Sequence, residues 1–177
     1  PTTALDVLTD AERLEGVNAF INVSLFPDTE DFDTADAEVG FKRMPVSEAP
    51  TPNHNPDISD FVVAGEALDG RNGFTASPGQ TYTIEPVVPS GHTETYAYQT
   101  SSGENEYRSE ELYFLWYTEP GASKATKQAS FDQPLSLAPY STVEWTAPQK
   151  PGRVTIHAVV RDRRGGMGWR SLEVNVL

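Results

Sequence analysis

The sequence predicts an all-β fold, a sandwich of short antiparallel strands. Residues 142–177 contain two runs in which apolar and polar residues alternate, joined by a glycine-rich turn at 163–168. This is the pattern of a β-hairpin with one buried face. Similar short runs recur from residue 58 onward, with no helical stripe longer than ten residues between them. Fourteen prolines and thirteen glycines suit a chain of many turns.

One helical turn and two strands are predicted in residues 1–49. Thr9 and Glu12 have the spacing of a capping box that opens a short helix. Every second residue from 17 to 25 is apolar, which predicts a strand, and residues 39–44 are predicted to form a second one. Two strands and a turn bury too little apolar surface to fold alone. We therefore expect this N-terminal β segment to be a partial domain or a sheet extension.

A proline-rich connector is predicted at residues 50–57, before a sandwich at 58–177. The prolines that mark it fall within a dozen residues: Pro45, Pro50, Pro52 and Pro56. Proline-dense sequence without apolar periodicity is stiff and extended. We expect the N-terminal β segment to pack on the sandwich, either by adding strand 17–26 to a sheet edge or by lying across the face that carries Tyr113.

The second part of the chain consists of strands separated by turn sequences such as Asp-Gly, Asn-Gly and Pro-Gly. The predicted strands are 58–64, 81–88, 93–99, 112–118, 129–131, 143–146, 153–161 and 169–176. Seven or eight short strands in about 120 residues are typical of an immunoglobulin-like sandwich. Its core is expected to contain Trp116, Trp145, Val154, Ile156, Val160, Leu172 and Val174.

Three stretches carry a resemblance to a known family. They are Phe114-Leu115-Trp116-Tyr117, Trp145-Thr146-Ala147-Pro148 leading into Pro151-Gly152, and Val159-Val160-Arg161-Asp162 leading into Gly165-Gly166, with Trp169 after the glycines. Residues 53–177 resemble the Ig-like domain of bacterial cell-surface lipoproteins and secreted multidomain proteins, similar in type to PKD and cadherin-like modules. The resemblance implies a surface-exposed, non-catalytic module, lipidated through an upstream cysteine that this chain lacks. The disulfide of antibody domains and the complete calcium motifs of cadherins are missing.

Composition restricts the classes of partner. A formal net charge of −13 argues against binding nucleic acid or an anionic membrane surface. No window approaches the roughly 20 apolar residues of a membrane span. The absence of cysteine removes disulfides, thiolate nucleophiles and Cys-ligated zinc, and it favours a bacterial origin. The chain starts at Pro1 without a methionine, which suggests a processed product.

An acidic run at residues 28–38 is the one candidate metal site, because carboxylate oxygens are the ligands that Ca²⁺ prefers. The candidate ligands are Asp28, Glu30, Asp31, Asp33 and Asp36. An EF-hand is excluded, since Ala35 stands where a third ligand belongs and Asp36 replaces the turn glycine. The alternatives are a looser site completed by backbone carbonyls and a solvated acidic loop.

Two further groups of residues are candidates for contact with a ligand or partner. Tyr113 and Tyr117 alternate with the predicted core residues of their strand, so they form an outward stripe that can stack on sugars or anchor a protein. Arg161, Arg163 and Arg164 make the last hairpin basic, which suits an acidic loop or an anionic glycan, or simply a charged, solvated turn.

No catalytic constellation is predicted. The histidines share no metal-ligand spacing, and no Gly-x-Ser-x-Gly elbow is present. We expect a non-catalytic extracytoplasmic bacterial module, at the outer membrane surface or secreted, with a structural or adhesive, protein-binding role and no cofactor. The alternatives are a carbohydrate-binding module that uses the exposed tyrosines, and an accessory domain of a secreted hydrolase. The expected partner is a surface protein or a glycan.

Overall fold

A computed structural model describes residues 5–26, 37–100, 102–118 and 142–177. The chain divides into two compact units: Pro1–Pro52 with Ala97–Arg108, and Asn53–Tyr96 with Ser109–Leu177. In the described ranges no helix has both the length and the apolar character needed to cross a membrane.

The first unit contains the predicted helical turn and strand pair. Helix α1 (Asp10–Glu15) begins with the capping box, in which the Glu12 N–H donates to Thr9 Oγ1 and the Thr9 N–H donates to Glu12 Oε2. Strand β1 (Val17–Leu25) pairs antiparallel with β2 (Glu38–Val46). Both strands are confirmed. Strand β2 runs past its predicted end at residue 44 and includes Pro45. Proline has no backbone N–H to donate, and an edge strand tolerates this because not all of its N–H groups need a partner. The packing of this segment on the sandwich stays a prediction.

Eight strands of the second unit form two four-stranded sheets. They are β3 (Asp60–Val63), β4 (Glu66–Ala67), β5 (Gly73–Ala76), β6 (Thr81–Val87), β9 (Tyr113–Thr118), β10 (Val143–Thr146), β11 (Gly152–Arg161) and β12 (Met167–Val176). The sheet orders are β10-β6-β3-β4 and β5-β12-β11-β9, antiparallel except for the parallel pair β5 and β12. A separate two-stranded sheet pairs β7 (Thr95–Gln99) with β8 (Asn105–Ser109).

The two larger sheets enclose one core, which confirms the predicted immunoglobulin-like β-sandwich. Strands β3, β6 and β10 share one sheet, and β9, β11 and β12 share the other, as strands A, B, E and C, F, G do in immunoglobulin domains. Six of the seven predicted core residues are buried, and Trp116 packs partly buried against them. The rings of Phe61 and Trp116 lie 6.1 Å apart, and those of Phe74 and Trp145 lie 6.3 Å apart.

Three described strands were not predicted: β4, β5 and β8. Strand β5 begins inside an Asn-Gly pair that has the chemistry of a turn. Gly73 serves here for close approach instead, because a Cβ at that position would collide with the Glu173 carbonyl oxygen on β12. The predicted strand 129–131 lies outside the described residues.

Candidate functional site

The predicted tyrosine stripe lies on the outer face of the sheet β5-β12-β11-β9. On β9, Phe114 is buried whereas Tyr117 is exposed, and on β11 the buried Val154, Ile156, Ala158 and Val160 alternate with outward residues. The alternation follows from the two-residue period of a strand. Both tyrosines therefore face away from the core, as predicted.

The strand register brings outward residues of β9, β11 and β12 into three cross-strand rows. Leu115, Val159 and Trp169 form the central row, with Tyr117, His157 and Ser171 on one side and Tyr113, Arg161 and Met167 on the other. We call these nine residues the aromatic face. In this face His157 Nδ1 and Ser171 Oγ are hydrogen-bonded at 2.9 Å, and this bond orients the two polar side chains of the row that contains Tyr117.

Two rings of the aromatic face are open to solvent. Trp169 is 64% exposed and Tyr117 is 53% exposed, while Tyr113, Leu115 and Val159 are half-buried. Two strand spacings, about 10 Å, separate β12 from β9, and Tyr117 lies one row, about 7 Å, along the sheet from Trp169, so the backbones at the two residues are about 12 Å apart. Large exposed aromatic side chains grouped on one face are a feature of interaction sites.

Trp169 was missed as a site residue, although its sequence contains the signal. Leu172, Val174 and Val176 define the buried face of β12, so Ser171, Glu173 and Asn175 lie on the opposite face. Trp169 is two residues before Ser171, so it belongs to the same alternating series as these three polar residues. An aromatic residue in phase with polar neighbours is placed on the solvent side of a strand.

The outer face continues from the aromatic residues into a groove lined by both apolar and polar residues. An open groove of about 410 Å³ lies between β5 and the ends of β11 and β12, lined by Gly73, Phe74, Thr75, Arg153, Glu173, Val174 and Asn175. Beside it, Thr155 Oγ1 donates to Glu173 Oε1 at 3.4 Å. On β12, hydrogen-bonding side chains such as Glu173 and Asn175 thus follow the Trp169 ring along the strand.

The three predicted arginines have three different environments. Arg161 is exposed on the aromatic face. Arg163 forms a surface ion pair with Glu111 at 3.3 Å. Arg164 turns away from bulk solvent and pairs with Glu110 at 2.7 Å and with Glu94 at 3.3 Å. Its charge is thereby neutralised inside the protein.

The partners of Arg164 form a compact network. The Glu110 side chain is 1% exposed, and its carboxylate also accepts the Glu94 N–H at 2.9 Å. The guanidinium lies 4.2 Å from the centre of the Tyr96 ring. Burial alone would raise the pKa of Glu94, but hydrogen bonds from His54 and the charges of His54 and Arg164 outweigh it, so the pKa is lowered. The network joins the start of β7 and the end of β8 to the turn after β11.

Asp162 organises that turn from inside. Its carboxylate is buried and accepts the N–H groups of Arg164 and Gly166, each at 2.8 Å, and the Asn53 amide at 2.8 Å. The turn thus supplies backbone donors to this buried carboxylate. The nearby Asn55 Oδ1 accepts the Met167 N–H at 3.0 Å, so the last residues of the predicted connector lie on the sandwich.

The predicted calcium ligands Asp28, Glu30, Asp31, Asp33 and Asp36 lie outside the described residues. Within the parts of the chain that are described, no group of three or more His, Asp or Glu side chains is placed to hold a metal ion. His54 contacts Glu94, and His157 belongs to the aromatic face.

Asp60 is expected to make stability dependent on pH. The Gly70 N–H, 2.9 Å from Asp60 Oδ2, lowers the pKa of this carboxyl most, and although burial opposes it, the Phe61 N–H and the charges of Arg170 and Arg71 lower it further. A lowered folded-state pKa stabilises the fold above the unfolded-state pKa, and this contribution is lost as pH falls through the folded value. In urea denaturation, Asp60→Asn should lose more stability at pH 7 than in acid. Equal losses at both pH values would contradict this assignment.

Comparison with protein-family models and with curated proteins finds no match. Among solved structures, a nucleoside hydrolase-related hypothetical protein from Saccharophagus degradans, described as associated with carbohydrate metabolism, is 19% identical. The match covers 71% of this chain and 26% of that chain, with a TM-score of 0.39. The chain thus spans about a quarter of that protein, and a likeness of this size carries no argument about activity.

Proposed function

We propose that this protein is a non-catalytic extracytoplasmic bacterial surface module with an adhesive role, which holds a partner against the outer face of the sheet β5-β12-β11-β9. The exposure of Trp169 and Tyr117 on one face of the sheet is the observation that supports this role. Aromatic side chains provide a large, rigid contact area at a low cost in conformational entropy. The resemblance to Ig-like domains of cell-surface lipoproteins favours an extracytoplasmic location and a lipid anchor upstream of this chain.

A carbohydrate-binding module is the second candidate. It is favoured by the two exposed rings together with the polar side chains of Glu173 and Asn175 at the groove on the same sheet face, because sugar ligands require both stacking surfaces and hydrogen-bonding groups. The first candidate requires a protein on the cell surface as the partner, whereas the second requires a glycan.

Binding of the fluorescently labelled full chain to washed bacterial cell envelopes tests both candidates. We expect saturable binding that falls about tenfold or more on Trp169→Ala, since aromatic side chains at the centre of an interface carry much of the binding energy. Val87→Ala, which trims an exposed apolar side chain on the opposite sheet, should leave binding unchanged.

Treatment of the envelopes separates the two candidates. Loss of binding after protease digestion supports a protein partner, and loss after periodate oxidation of glycans supports the carbohydrate-binding module. Binding that survives Trp169→Ala and Tyr117→Ala together would refute a role for the aromatic face.

A further inference from the structure

We propose that the outer face binds a neutral linear polysaccharide, which lies along β12 from Trp169 to Asn175 with a sugar ring stacked on the Trp169 indole. This inference rests on the proposed binding role of the aromatic face and names its ligand class. It names Trp169, Glu173 and Asn175 as the residues that contact the ligand.

The arrangement along β12 supplies both parts of a sugar site. Trp169, Ser171, Glu173 and Asn175 share one face of the strand, and six residues of extended chain span roughly 20 Å. Beside Ser171 and Glu173, the register places His157 and Thr155 of β11. These groups include donors, acceptors and groups that do both, as required by hydroxyl groups repeated along a sugar chain. The line of side chains along β12 is long enough for several rings of an extended polysaccharide.

The distribution of charge selects a neutral ligand. The arginines of this face, Arg153 and Arg161, lie at opposite ends of β11, eight residues or about 26 Å apart. Between them the outward positions of β11 are Thr155, His157 and Val159. A polyanion needs cations at closely repeated positions, and Arg164 is already paired with Glu94 and Glu110. In a chain of net charge −13, a central region without repeated cations favours an uncharged partner.

Affinity gel electrophoresis of the full chain with soluble neutral polysaccharides tests the proposal. The probes are a β-glucan, a xylan and a mannan, with polygalacturonate as the anionic comparison. We expect retardation by at least one neutral polymer, unchanged by added NaCl because no ion pairs form. Trp169→Ala should weaken binding about tenfold or more. Asn175→Ala should weaken it severalfold, whereas Trp169→Phe, which keeps a stacking ring, should weaken it less than Trp169→Ala.

Val87→Ala serves as the matched control on the opposite sheet and should bind as wild type does. Retardation that is unaffected by Trp169→Ala would overturn the proposal, as would preferential binding to polygalacturonate that is abolished by salt. If no neutral polysaccharide binds but envelope binding still depends on Trp169, the ligand class is wrong while the proposed binding role stands. If Trp169→Ala changes neither assay, both are wrong.

Discussion

Replacing Trp145 with alanine should destabilise the sandwich by about 3–5 kcal/mol, the range for large aromatic truncations in a core. Trp145 lies on β10 with 0% of its surface exposed, and its ring is 6.3 Å from those of both Phe74 and Tyr82. Truncation removes buried apolar area and leaves a cavity between the sheets. Since a domain of this size is stable by only about 5–15 kcal/mol, a large fraction of its stability is lost. Urea denaturation followed by far-UV circular dichroism measures the effect.

The other two tryptophans provide graded controls. Trp169 is 64% exposed, so Trp169→Ala should change stability by no more than about 0.5 kcal/mol. Trp116 is only partly buried against the core, so Trp116→Ala should cost less than Trp145→Ala and more than Trp169→Ala. Equal costs for Trp145→Ala and Trp169→Ala would contradict the placement of Trp145 between the sheets.

The hairpin of β11 and β12 was predictable because its apolar residues follow the strand period without interruption. Val154, Ile156, Ala158 and Val160 face one way, and a one-residue shift would turn all of them to solvent. The capping box before α1 was predictable for a similar reason, since its signal is local. Strand β5 was not predictable, because its parallel pairing with β12 depends on a contact between residues about 100 positions apart and its glycine has a turn-like sequence context.

The candidate site was predictable only in part. The strand period placed Tyr113 and Tyr117 on the outer face. Trp169 was missed, although it alternates with the apolar residues of β12 in the same way as the polar Ser171, Glu173 and Asn175. The environments of the arginines were not predictable, because Arg163 and Arg164 are adjacent in one turn and differ only in direction. Arg163 meets Glu111 at the surface, whereas Arg164 meets Glu110 inside. Only the folded turn distinguishes them.

Removal of the Arg164 side chain should destabilise the protein by about 3–5 kcal/mol, because it leaves the Glu110 carboxylate buried without its cation. The Arg164 side chain is 20% exposed and that of Glu110 is 1% exposed, with 2.7 Å between Nη1 and Oε1. The remaining donor to Glu110, the Glu94 N–H, does not neutralise the charge. Arg164→Ala also removes the cation over the Tyr96 ring. Equilibrium denaturation with urea at neutral pH measures the loss.

Arg163→Ala is the matched control, because the same residue type is removed from the adjacent position of the turn. Arg163 and Glu111 are each about 40% exposed, and solvent screens such a pair, so this variant should lose at most about 1 kcal/mol. Combining Arg164→Met with Glu110→Gln should recover much of the stability that Arg164→Met alone loses, since the double variant leaves no charge buried at this pair. If Arg164→Ala is no more destabilising than Arg163→Ala, or if the double variant loses the sum of its two single losses, then Arg164 does not neutralise a buried Glu110. In that case the charge of Arg164 would instead be available to an anionic ligand.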